Sequence, residues 1–260
     1  MVRRMPLRRA ALYLYVIGVV VFLILPVLIV IPMSFSDARF LSFPPEAFSL
    51  RWYDAFFSSN EWLGAARTSL QVAVLATLIA TPLGVAAAYA LENTDHWSAR
   101  YVRILLMLPL MVPLIIIAAG LFLAFARTGL WATTTGLVLA NVMLSLPFVV
   151  TAVGAGLRGF DKNQEMVARS LGMNRFRAFF AVVLPQIKPS VVSGAIFAFI
   201  WTLDETIVAL FISGGDKQTL TKVMFTRLRD EIDPTIAAIS TLLIVGTTTL
   251  AALSLLFRRR

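Results

Sequence analysis

Apolar residues in this chain gather into long blocks, and the length of those blocks constrains the fold more than any other feature. Six blocks stand out, at 12–33, 68–91, 104–126, 130–154, 190–213 and 234–257. About twenty apolar residues in a helix cross ~30 Å of hydrocarbon. In lipid, only helices and closed barrels satisfy every backbone polar group. Charged residues make up 14% of the chain, whereas a soluble domain carries about 25%. The sequence therefore predicts an all-α polytopic membrane protein with six transmembrane helices, each bounded by charge or turn residues.

The prolines at 26, 82, 109, 113 and 147 lie inside these blocks. Membrane helices tolerate proline where neighbouring groups re-satisfy the freed carbonyls. Pro109 and Pro113 in "LMLPLMVPLIII" single out the third span as the broken or bent one. The first block follows Arg3, Arg4, Arg8 and Arg9 but is too long for a signal peptide and has no small-residue cleavage site after it. It is expected to be a retained helix. With the N-terminus placed inside, the inner segments hold 15 basic and 4 acidic residues, the outer segments 8 and 8. That asymmetry orients both termini to the cytoplasm.

The net charge of +9 sits at the span ends, which argues for a membrane surface and against nucleic acid. The chain has no cysteine, so disulfides, thiolate catalysis and cysteine metal sites are excluded. Its single histidine, His96, falls in the short loop "ENTDHWSAR", where an exposed role is expected, and no metal site is predicted. The outer segment 34–67 is rich in Phe, Trp and Tyr, side chains that favour the membrane–water interface. A short surface helix is expected around "SLRWYDAFF".

The inner segment 155–189 is the longest basic loop, with Arg158, Lys162, Arg169, Arg175, Arg177 and Lys188. Within it "NQEMVARSLG" predicts a short helix. Asp161 or Asn163 would cap its start, Met166, Val167 and Leu171 supply apolar faces, and Gly172 suits a left-handed residue at its end. A second helical piece, "MNRFRAFFAVVLP", runs toward the membrane, with Pro185 and Pro189 restricting its exit. From the residues alone, an interfacial helix with its aromatic side in the headgroups is the better account.

Gly172, followed nine residues later by Val182-Val183-Leu184-Pro185, resembles the cytoplasmic signature loop of binding-protein-dependent ABC importer permeases. That family's pattern is Glu-Ala-Ala, three residues, Gly, nine residues, then Ile-x-Leu-Pro. Ala168 matches the second alanine and Val167 replaces the first. Met166 stands where the glutamate is expected, and Glu165 lies one residue early. "RTSLQVAVLATLIATPLGVAAAYAL" resembles the start of the type-1 permease domain. "SFPPEAFSLRWYDAFF" and "TLDETIVALFISGG" resemble the subgroup importing spermidine, putrescine and related small organic solutes.

The resemblance implies a permease subunit in a bacterial inner membrane, forming half of a translocation path. Its implied partners are a second homologous permease, a cytoplasmic ATPase dimer and an external solute-binding protein. Residues 1–66 would be a first helix with its external segment, 67–257 the permease domain and 258–260 a basic tail. The ATPase-coupling loop would use Glu165, Met166, Val167, Ala168, Leu171, Gly172, Leu184 and Pro185, with Ala168 and Gly172 allowing close approach to the ATPase. The chain has no GxxxxGK[ST] sequence, so ATP and its magnesium are expected on the partner and no cofactor on this chain.

"FIWTLDETIVALF" places Asp204 and Glu205 inside the fifth apolar block. Acids at that depth cost at least ~2.5–3.5 kcal/mol and usually face a cavity or a partner. They either line the path, or pair with a partner subunit or cap a helix break. Trp201 and Thr202 lie nearby; a tryptophan face attracts an ammonium group, or simply packs. Asn141 and Ser145 either line the path or bond helices together. A di- or polyamine suits two carboxylates; amino-acid-like solutes, opines and aminophosphonates are the alternatives. A self-contained carrier would be expected to show internal repeats, and none is evident. An intramembrane enzyme would need a reactive constellation that a loop histidine does not supply.

Overall fold

The computed structural model describes residues 7–258. Arg3, Arg4 and the tail residues Arg259 and Arg260 lie outside the described residues. The elements are α1 (Leu7–Ser34), α2 (Arg51–Ser58), α3 (Asn60–Glu92), α4 (Ser98–Met111), α5 (Leu114–Thr128), α6 (Thr134–Arg158), α7 (Lys162–Ser170), α8 (Arg175–Ala178), a π-helical turn (Phe179–Val183), α9 (Leu184–Asp204), α10 (Ile207–Ile212), α11 (Leu220–Asp230) and α12 (Thr235–Arg258). Among the described residues five helical stretches are long and apolar enough to cross a membrane, and there are six if the bent pair α4–α5 is counted as one span. The chain forms two compact units, Met1–Ser59 with Arg227–Val245, and Asn60–Thr226 with Gly246–Arg260.

In the first unit the surface helix expected from the aromatic segment is α2. Tyr53 Oη lies 2.8 Å from Ser34 Oγ, and the Tyr53 ring is 5.3 Å from that of Phe35. An antiparallel bridge between Ser36 and Phe48 closes the segment between α1 and α2. From Leu12 to Leu25 nearly every large apolar side chain of α1 is exposed, as suits a face toward lipid.

In the second unit α3, α6 and α9 pack on one another. The reason is visible along α3. Ala65, Ser69, Ala73, Ala76, Ala80, Gly84 and Ala88 recur every three or four residues and are buried. Such a stripe of small residues lets membrane helices approach closely. Gly84 meets α6 where a Cβ would lie 2.6 Å from Val149 Cγ1, and Gly194 of α9 approaches the Cα of the same valine. Val149, fully buried, is thus the point where the three helices converge.

The third span breaks as its prolines predict. The α4 and α5 axes differ by 101°. Val112 is extended (φ −90°, ψ 135°) because the following proline ring disfavours the helical region. The fourth span starts at Thr134 and not at residue 130. Gly129 takes a left-handed φ of 73°, ending α5, and Thr133 caps α6 by accepting from Gly136 N at 3.0 Å.

The fifth span differs most from expectation. It was expected at 190–213, with the "MNRFRAFFAVVLP" piece separate from it. Instead α8, the π turn and α9 form one continuous stretch, Arg175–Asp204. Pro185 has no N–H to bond the carbonyl of Ala181, and the wider π turn just before it takes up that loss. The stretch then stops at Asp204, and a short helix, α10, follows from Ile207.

Candidate functional site

Two places collect the candidate residues, both within the second unit. The first is α7. Asp161 caps it, accepting from Asn163 N at 3.0 Å, so the aspartate and not Asn163 is the cap. Gly172 ends it with φ +94°, and nothing lies within 4 Å of the space a side chain would enter. Met166, Val167 and Leu171 are 54%, 59% and 80% exposed, so their apolar surface faces outward. The opposite side is buried. Ala168 is buried inside the chain. Leu184 joins the core around Val149, while Pro185 is exposed.

Glu165 also turns inward. Its Oε1 accepts from Tyr89 Oη at 2.5 Å. The Tyr89 ring stacks 4.7 Å from Phe179 and lies 5.2 Å under the Arg175 guanidinium. Lys162 Nζ donates to the Glu92 carbonyl at 2.6 Å, and Gln186 Nε2 donates to Gln164 Oε1 at 2.5 Å. Glu92 in turn holds Arg158 at 2.9 Å and Arg103 at 3.1 Å. Tyr89 escaped the sequence reading. Its signal was a lone phenol in the small-residue run "AAAYALE".

The second place is the break between α9 and α10. Asp204 is the last residue of α9 and Glu205 lies at the break, so the helix expected to run on through both is interrupted there. Glu205 is buried, and both carboxylate oxygens are occupied: Oε1 accepts from Val208 N at 2.6 Å and Oε2 from Ala209 N at 3.0 Å. Its backbone carbonyl accepts from Thr221 Oγ1 at 3.0 Å. Glu205 therefore caps α10. Asp204 is exposed and borders a cavity of about 280 Å³ with Leu114, Trp201, Glu205, Thr206 and Ile207. It sits at the C-terminal end of α9, where the helix dipole is negative. The Trp201 ring packs 4.8 Å from Phe148, and its Nε1 has no partner among the described residues. Thr202 Oγ1 and Asn141 Oδ1 are likewise buried without one. Asn141 lies inside the core of α6, donating to the Leu137 carbonyl at 2.9 Å, and Ser145 is fully buried beside it. Neither borders the cavity. His96 is exposed, its Nδ1 2.8 Å from Ser98 Oγ.

A broken span with a carboxylate at the break, and a capped inner helix with an apolar outer face, fit the architecture of a solute permease. Residues 80–260 match the family model described as "binding-protein-dependent transport system inner membrane component". The chain belongs to that family. The permease is 30% identical over 240 residues to the spermidine/putrescine transport system permease protein PotC of Haemophilus influenzae, covering 92% of this chain and 93% of that one. It is 29% identical to the putrescine transport system permease protein PotI of Escherichia coli, covering 86% and 82%. It is also 31% identical to the molybdenum transport system permease protein ModB of Escherichia coli, over 65% of this chain and 80% of that one.

Among solved structures, a bacterial ABC transporter importing the acidic polysaccharide alginate superposes with a TM-score of 0.73 at 14% identity, covering 95% of this chain and 96% of that one. An amino acid ABC transporter gives 0.60 at 22% identity, covering 80% and 98%. At these identities the match concerns the fold. The permease is a transport subunit of an ABC importer and not an enzyme.

Proposed function

We propose that this permease forms half of the path for a small cationic organic solute, a polyamine of the spermidine/putrescine type. The observation that carries the reading is Asp204. It is an exposed carboxylate at the negative end of α9, bordering a cavity with Trp201. Coulomb attraction and a nearby tryptophan both favour an ammonium group. The polyamine names of PotC and PotI support the same solute. Family membership alone does not set the solute, since ModB carries a molybdenum name.

The orientation follows from the basic bias: both termini and α7 in the cytoplasm, α2 outside. The exposed Met166, Val167 and Leu171 then offer apolar knobs to a cytoplasmic ATPase, whose closure would move the spans as rigid bodies. A second homologous permease completes the path, and an external binding protein delivers the solute. The test is reconstitution of the purified complex with its ATPase and binding protein, followed by uptake of labelled spermidine with amino acids and alginate as competitors. Uptake of spermidine resisted only by other polyamines supports the reading. Co-purification of an ATPase with no polyamine uptake would retain the importer and overturn the solute.

A further inference from the structure

We infer that Glu165 and Tyr89 form a latch through which movement of α7 reaches α3. The inference rests on the reading of α7 as the ATPase-docking helix. Successive helical residues point about 100° apart. With Met166 facing solvent, Glu165 one position earlier turns into the protein, where it is 8% exposed. There it meets a phenol. The 2.5 Å separation of Tyr89 Oη and Glu165 Oε1 is that of a charge-assisted O–H···O⁻ bond.

Tyr89 is well placed to pass on a force. It lies in the last turn of α3, whose buried stripe packs along α6 and α9. Its ring is held between Phe179 of the π turn and Arg175 of α8, and Arg175 Nε reaches its Oη at 3.4 Å. Two further bonds flank the latch on the same side of α7, from Lys162 to the Glu92 carbonyl and between Gln164 and Gln186. Without them α7 would be joined to the spans through its two chain ends and the packing of Ala168. One end is Gly172, with no neighbour within 4 Å of its missing side chain. A push on Met166, Val167 and Leu171 would then rotate α7 about that open end. With the latch closed, α7 and the end of α3 move together.

The absence of cysteine allows clean labelling. Single cysteines replace Arg169 on α7, exposed and outside the apolar docking face, and Leu83 on α3, also exposed, and spin labels report their separation in the reconstituted complex. In the otherwise unaltered chain the distance stays within about 2 Å, the scale of a small helix shift, when ATP is added. In Tyr89→Phe and in Glu165→Ala it changes or broadens on ATP addition. The double variant behaves as either single one, because both remove the same bond. Glu165→Gln, whose amide oxygen still accepts, stays close to the unaltered chain. Adding Met166→Glu to Glu165→Ala does not restore the coupled state, because position 166 faces away from Tyr89.

A second readout is the ATP hydrolysed per spermidine taken up, which rises about fivefold in Tyr89→Phe, the lower end of usual coupling between linked sites. A purely structural defect lowers the amount of assembled complex and leaves the distance behaviour and this ratio unchanged. Unchanged distances in Tyr89→Phe and Glu165→Ala with the ATPase bound overturn the latch and leave the docking reading standing. Failure of the unaltered chain to bind an ATPase overturns both.

Discussion

The carboxylate of Glu205 accepts a hydrogen bond from the backbone N–H of Val208 at 2.6 Å, three residues further along the chain. With Ala209 N bonded to its second oxygen at 3.0 Å, the side chain closes the start of α10 and fills the gap left where α9 stops. Thr206, the residue at the formal cap position, makes no side-chain cap bond. A buried acid is thus accounted for by the two N–H groups it accepts from.

Removing that cap destabilises the break. Glu205→Ala leaves two N–H groups without an acceptor, and loss of a cap costs about 0.5–2 kcal/mol. Thermal unfolding of the purified complex is expected at a lower temperature, and Glu205→Gln, with one oxygen left, falls between. Equal stability of all three forms would show that the carboxylate does not hold α10.

Gly84 and Val149 test the convergence of the three helices. A Cβ at position 84 would sit 2.6 Å from Val149 Cγ1. Overpacking of this kind costs about 1–3 kcal/mol. Gly84→Ala is expected to lower the yield of folded protein, and Val149→Ala in the same chain to recover most of it. Additive losses in the pair would mean that the two residues do not compete for one space.

These two sites mark what the sequence made legible and what it did not. The long apolar helices, the kink before Pro113 and the αL glycine at the end of α7 follow from local rules: block length, proline sterics and a missing Cβ. The break after Asp204 does not. It lies in "TLDETIV", which has neither proline nor glycine. Its cause is the pairing of Glu205 with N–H groups that exist only once α10 has formed. The inward turn of Glu165 was hidden for a similar reason. Its partner Tyr89 is 76 residues away, and no periodicity in either segment points to the other.

Gly172→Leu is expected to uncouple transport from ATP hydrolysis. The φ of +94° disfavours any L side chain, by roughly 1–2 kcal/mol. The added bulk would also stand beside the exposed Leu171 on the docking face. Membrane insertion stays normal, because the position lies outside the spans. Vesicles carrying the variant should show little solute uptake despite normal protein levels. Full uptake would remove Gly172 from the coupling loop.

Reporter fusions check the orientation. Fusions at Asn163 and after Arg260 are expected to report the cytoplasm, and one at Ser58, at the end of α2, the outside. An external position for residue 163 would overturn the orientation and with it the ATPase-docking role of α7.

The last prediction concerns charge in the path. Glu205 lines the same cavity but has both oxygens bound to backbone N–H groups, so Asp204, exposed beside it, is the carboxylate expected to meet a solute. At ~5 Å and an effective dielectric near 20, a unit charge pair is worth roughly 3 kcal/mol before desolvation is subtracted. Asp204→Asn keeps the shape and removes the charge. Part of that attraction is then lost at the step where the solute passes the break. Uptake of spermidine is expected to fall tenfold or more, about 1.4 kcal/mol in the limiting barrier, with the complex still assembled. ATP hydrolysis stimulated by the loaded binding protein should fall less, because that signal enters from outside. Normal spermidine uptake by Asp204→Asn would detach the carboxylate from the solute. The cavity beside Trp201 would then suit an uncharged organic solute as well as a cationic one.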